Sequence, residues 1–143
     1  KELLEFFPKW SESEAYAVTL TMKQYTDGKR LDEIYASQNL RHFRNFISRK
    51  YFGSAARRYK TSLNIIPVLE TSHSGRLHYH LAIKNPIPNN DDLFRERVKA
   101  SWSKTLFGDK EIDIQRCSDV LGWYKYITKD RSATIDWENY HIA

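Results

Sequence analysis

The stretch LETSHSGRLHYHLAI, running from Leu69 to Ile83, decides the fold of this chain. Its second half, LHYHLAIK (77–84), alternates His78 and His80 with Tyr79, Leu81 and Ile83, and that period of two predicts a strand. SHSG before it reads as a turn. Residues 62–71 (SLNIIPVLET) form a second strand, and together the two predict a hairpin. The earlier strand is apolar on both faces, which predicts a central place, although Pro67 argues for an edge or a bulge there.

Side chains alternate across a strand, so His78 and His80 project from one sheet face while Tyr79, Leu81 and Ile83 point to the other. Glu70, on the preceding strand, reaches the same face across the turn. Two imidazoles and one carboxylate make a metal site with positions left for water or substrate. The plainer alternative is a pair of exposed or hydrogen-bonded strand histidines, and the neighbouring carboxylate weakens it. His73 is read as a surface residue of the turn.

Working outward, AYAVTLTM (15–22) alternates Tyr16, Val18, Leu20 and Met22 with Ala17, Thr19 and Thr21, giving another strand. Thr26, Asp27 and Gly28 follow as a turn. From about Leu31 to Phe52, Leu40, Phe43, Ile47 and Tyr51 recur at helical spacing, with Arg41, Arg44 and Ser48 on another face and Gly53 at the end. After the loop 85–90, Asp91 is expected to cap a helix carrying Phe94, Val98 and Trp102. EIDIQR (111–116) reads as a strand, and Ser118 as the cap of a last helix reaching about Lys129. The order β, α, β, β, α, β, α predicts an α+β domain of the split βαβ, ferredoxin-like or RRM-like plan: an antiparallel sheet with helices on one face and the other open.

In the last helix Val120, Trp123, Tyr124 and Ile127 make the apolar stripe, whereas Gly122, Lys125, Tyr126 and Lys129 share another face. Tyr124 is therefore the structural tyrosine and Tyr126 the available one. A phenol titrates near ~10 and needs help as a nucleophile at neutral pH. Nearby ammonium groups favour the phenolate and stabilise charge on a phosphorane-like transition state, and a metal polarises the phosphate for in-line attack. The ordinary alternative is a surface tyrosine.

The chain has 143 residues, 41% hydrophobic and 14% aromatic, enough for one domain with a single core. No apolar run approaches the ~20 residues needed to cross a bilayer, and the lone Cys117 suits a reducing compartment. Net charge is +5, and residues 41–60 hold seven of the 23 Lys and Arg with no Asp or Glu, leaving 16 basic against 18 acidic residues elsewhere. This one segment, with Phe43, Phe46, Tyr51, Phe52 and Tyr59 between Arg41, Arg44, Arg49, Lys50, Arg57, Arg58 and Lys60, is a candidate surface for a nucleic-acid backbone. A solvated helix face beside core aromatics is the alternative.

Taken together, the sequence resembles the HUH endonucleases, specifically the single-tyrosine initiators of rolling-circle replication in small circular single-stranded DNA viruses, phages and plasmids. AVTLTMK (17–23) matches their hydrophobic, threonine-bearing first motif, LETSHSGRLHYHLAI (69–83) their metal motif, and YITK (126–129) their Tyr-x-x-Lys. The match spans residues 17–129, with the second and third motifs about 45 residues apart. The resemblance implies one HUH domain over 1–143 that nicks and joins single-stranded origin DNA through a 5′-phosphotyrosine link. It implies Tyr126 as nucleophile, Lys129 as supporting base or charge, Glu70, His78 and His80 as ligands, and Mg²⁺ or Mn²⁺ as cofactor. DNA contacts are expected from Thr19, Thr21, Arg41, Arg44, Arg49, Arg57, Arg58 and Lys125. No membrane partner is implied, and the expected setting is intracellular, a bacterial cytoplasm or the nucleus for a eukaryotic virus. The basic segment is longer than in compact viral initiators. No GxxxxGK[ST] loop is present, so any helicase domain lies outside this chain or does not exist.

Rivals are weaker on the residues. Single-strand transposases usually carry a Gln ligand beside the tyrosine, where this chain has Asp130, and relaxases need three histidines and an N-terminal tyrosine. A ferredoxin-like RNA-binding module wants aromatics at mid-strand, where this face has His, His and Glu. A zinc hydrolase or a 2-His-1-carboxylate oxygenase leaves Tyr126 and Lys129 unexplained.

Overall fold

A computed structural model describes residues 8–11, 14–59, 61–129 and 132–142, so Lys60 and Asp130 lie outside the described residues. Strand β1 (Ala15–Met22) is followed by a short hairpin of β2 (Tyr25–Thr26) and β3 (Lys29–Arg30), then by helices α1 (Glu33–Phe52) and α2 (Ser54–Arg58). Strands β4 (Ile65–Thr71) and β5 (Leu77–Lys84) precede α3 (Asp91–Ser103), β6 (Gly108–Arg116), α4 (Val120–Ile127) and β7 (Ala133–Ile135).

The main sheet has the order β6-β1-β5-β4-β7 with every pair antiparallel. Strands β1 and β4 run parallel with β5 between them, joined through α1, which is the split βαβ unit that the element order predicts. The fold is α+β and ferredoxin-like, extended by β7. That three-residue strand carries too little alternation to be read from sequence. It pairs with Val68, Leu69 and Glu70, so β4 is interior. Pro67 sits just beyond this pairing and needs no N–H there, while its carbonyl accepts from the Asp136 N–H.

Helices α1 and α3 bury their apolar stripes against Tyr16, Val18, Leu20, Tyr79, Leu81 and Ile83. Phe43 of α1 meets Trp102 of α3 edge to face, centroids 5.6 Å apart, and both are fully buried. Truncating Phe43 to Ala would cost about 3–5 kcal/mol. Asn39, also buried, donates to Thr105 Oγ1 and accepts from the Phe107 N–H, which ties α1 to the start of β6.

Helix starts differ by one residue from the sequence reading. Asn90, not Asp91, caps α3, and its side chain accepts from the Leu93 N–H. Asp91 is left to accept from the Tyr16 hydroxyl and from Arg95. Asp119, not Ser118, caps α4 through the Gly122 N–H. A side chain at position 122 would collide with the Asp119 carboxylate, which accounts for the glycine. Helix α1 begins under an Asp32 cap and ends at Gly53, whose φ of 58° an L side chain rarely adopts.

Candidate metal and tyrosine site

The opposite sheet face carries the predicted ligands. Register places Glu70 beside His78, with Thr21 on the far side of His78, and Val68 beside His80, with Thr19 beyond it. Gln24 holds the start of β5 next to His78: its side chain accepts from the Leu77 N–H at 2.8 Å and donates to the Leu77 carbonyl at 3.0 Å.

Glu70 Oε1 lies 2.6 Å from His78 Nε2 and 3.1 Å from His80 Nε2, and the two Nε2 atoms are 3.2 Å apart. Ligands ~2.1 Å from a shared cation stand roughly 3.0–3.4 Å apart in octahedral or tetrahedral geometry. The cluster therefore fits a small divalent ion after a slight opening of the Glu70–His78 contact, and its mixed nitrogen and oxygen donors suit one. All three side chains are about one-fifth exposed, which keeps one side open.

Burial, aided by the charge of His78, holds the His80 imidazole below its ordinary value against the opposing hydrogen bond from Glu70. Its neutral form, the one that ligates, is thereby favoured. Thr19 Oγ1 lies 3.1 Å from His80 Nδ1. With Nε2 turned towards Glu70, a proton on Nδ1 donated to this hydroxyl sets the ligating tautomer. Thr21 donates instead to the Glu111 carbonyl at 2.6 Å, beside the register shift between β1 and β6. Both threonine hydroxyls, expected from sequence to meet DNA, are thus engaged within the protein.

Helix α4 lies on this same face. Val120 and Trp123 pack with Ala15, Ala17, Ile66, Ala82 and Cys117, and Tyr140 and Ile142 close the cluster. Ala17 and Ala82 form the register row next to that of Thr19 and His80 along the strands, and their small side chains leave room for a helix there. The open face predicted from sequence is therefore partly covered, at the end beyond His80. The alanines were the available signal, hidden as ordinary alternating residues.

Tyr126 is 69% exposed, whereas Val120 and Ile127 are buried, as the helical spacing predicts. The helix ends at Ile127, two residues before Lys129, which lies beyond the Thr128 cap. Lys129 nonetheless reaches back, its Nζ 4.7 Å from the centroid of the Tyr126 ring. Lys125 is exposed on the same helix. No hydrogen bond or ion pair joins Tyr126 to Glu70, His78 or His80 among the described residues. Arg41, Arg44 and Arg49 on α1, and Arg57 and Arg58 on α2, belong to the layer behind the sheet. His73 is exposed in the β4–β5 turn and Cys117 is buried.

A ferredoxin-like sheet with a 2-His-1-carboxylate cluster on one face and a tyrosine-bearing helix against it defines a class of metal-site α+β domains. The model of the family described as Replication-associated protein ORF2/gene 2 protein matches residues 15–131, and the chain belongs to that family, one of rolling-circle replication initiators. No curated protein and no solved structure matches the chain. Among the described residues, no helix is long and apolar enough to cross a membrane.

Proposed function

We propose that this domain is an HUH endonuclease that nicks and rejoins single-stranded DNA at a replication origin through a covalent bond to Tyr126. The observation that carries this reading is the convergence of Glu70, His78 and His80 on the sheet face against which α4 packs. Membership in an initiator family supports the same role.

Glu70 Oε1, His78 Nε2 and His80 Nε2 would hold the cation. A bound Mg²⁺ or Mn²⁺ supplies a Lewis acid for a phosphate oxygen and a fixed orientation for the scissile bond. Tyr126 Oη attacks phosphorus, forming the Tyr–O–P bond as the P–O3′ bond breaks. The phenol proton leaves to solvent and the released 3′ oxygen takes one up, giving a 5′-phosphotyrosine and a free 3′-hydroxyl. One phosphodiester is exchanged for another, so the reverse attack by a 3′-hydroxyl rejoins the strand. Lys129 and Lys125 place positive charge on the helix bearing the nucleophile, where negative charge grows on the phosphate.

The test is incubation with short single-stranded DNA and Mn²⁺, read as a covalent adduct on a denaturing gel. An adduct that forms equally well in EDTA, or none with any origin-derived strand, would overturn the reading.

A further inference from the structure

A second polar site lies behind the sheet. The end of α1, α2 and the loop entering β4 enclose a cavity of about 300 Å³ whose lining includes Arg44, Arg49, Arg57, Asn45, Thr61 and Ser62 and no carboxylate. Its wall is stapled: Ser48 Oγ accepts from the Leu63 N–H at 3.1 Å and lies 3.3 Å from Ser62 Oγ. Arg44 Nε is buried with no hydrogen-bond partner. The carboxylate whose charge reaches Arg44 is that of Asp136, and it already accepts from Tyr79, Asn139 and Ser37.

A buried guanidinium N–H without an acceptor is costly, and three guanidinium groups around a cavity free of carboxylates suit a planar-matched oxyanion. We propose that this cavity is a phosphate site, and that it takes a backbone phosphate of DNA outside the cleaved segment. Helix α1 packs on the face carrying Tyr79 and Leu81, opposite His78 and His80, so a phosphate held here is not the scissile one. The strand or duplex flank that fills it must pass round the edge of the domain. The choice of DNA over free phosphate rests on the function proposed above; the chemistry of the cavity does not.

The test has two arms on the intact chain. In the first, ¹⁵N-labelled protein is titrated with inorganic phosphate at constant ionic strength, and the Arg44 Nε–H resonance is followed. In the second, Kd is measured against salt for a short bare single strand and for a longer DNA bearing a hairpin stem. The proteins are wild type, Arg44→Lys, and Arg49→Ala with Arg57→Ala; the alanine changes are at exposed positions and spare the fold. The expected result is a shift of the Arg44 resonance with phosphate and with the long DNA. Both variants should bind the long DNA about tenfold more weakly and the short one almost normally, with a salt slope lower by roughly 0.7–0.9 for each phosphate no longer neutralised. Retention of full affinity by Arg44→Lys, or equal weakening on both DNAs, would overturn the site in favour of a diffuse basic field. A phosphate-induced shift with no dependence on DNA length would overturn the DNA assignment. If wild type forms no covalent adduct while the weakening on long DNA persists, the phosphate site stands and only the nuclease reading fails.

Discussion

The Lys129 ammonium stands over the face of the Tyr126 ring, 4.7 Å from its centroid, although Lys129 lies beyond the end of α4. A cation in that place is attracted by the ring by about 0.5–1 kcal/mol at an exposed site. It keeps a positive charge beside the phenol without neutralising it through an ion pair. Lys129→Met is expected to slow single-turnover cleavage about tenfold to a hundredfold, roughly 1.4–2.7 kcal/mol of barrier. Lys129→Arg should keep most of the rate. Equal rates for Lys129→Met and wild type would leave the lysine with no part in the chemistry.

Tyr126→Phe should abolish adduct formation while leaving thermal unfolding and DNA binding largely intact, because the exposed hydroxyl makes no contact that folding needs. The ring and its lysine neighbour remain. Tyr124→Phe, in the half-buried stripe, should still form adduct. Gel analysis of both variants with Mn²⁺ decides this, and the reverse pattern would exchange the roles of the two tyrosines.

The hairpin from Leu69 to Ile83 was legible because a strict period of two and a glycine-bearing turn leave few other structures for it. The same holds for Tyr126, since spacing alone separates it from Val120, Trp123 and Ile127. Three things were not legible. Strand β7 is too short to show a period, and it makes β4 interior in spite of Pro67. Ser118 and Asp119 are both good caps, so composition cannot choose between them. The charge of residues 41–60 is visible in sequence, but which side of the sheet it occupies depends on α1 packing against Tyr79 and Leu81.

Metal binding should depend on each of the three ligands. His78→Ala removes the imidazole that shares Glu70 Oε1 with His80, and is expected to weaken Mn²⁺ binding at least ~10-fold by calorimetry. Wild type should gain thermal stability with Mn²⁺, by about 2.7 kcal/mol at a hundred times Kd. An unchanged melting curve across that range would remove the metal site.

Thr19 is expected to position His80 rather than read DNA. Thr19→Val keeps the shape but leaves His80 Nδ1 without its partner at 3.1 Å. Divalent-ion affinity should fall about 10–100-fold, and Thr19→Ser should restore it. Intact metal affinity in Thr19→Val, combined with altered preference between cognate and scrambled strands, would return Thr19 to the DNA contacts expected from sequence.

The proton chemistry of His80 gives the last prediction. Burial first, and then the charge of His78, hold this imidazole below its ordinary value of 6.5, with the Glu70 hydrogen bond opposing. His141 is lowered in the same direction by burial and by the charge of Arg44. In both cases the unfolded chain takes up its proton before the folded one does. Between the two values the unfolded state binds more protons, so stability falls as pH falls. Well above 6.5 both groups are neutral in both states and their contribution is level. Glu14 and Asp91, whose carboxyls sit below 4.5 and 3.8, lose their contributions only in a lower range. Urea midpoints in EDTA should therefore be flat from about pH 8 to 7 and decline from about 6.5 towards 5. His80→Asn should flatten part of that decline. Because the neutral imidazole is also the ligand, Mn²⁺ affinity should hold slightly below pH 6.5 and then fall as His80 protonates. A wild-type midpoint that rises on acidification through this window would mean that protonated histidine is favoured beside Glu70, and that the cluster is an ion pair rather than a metal site.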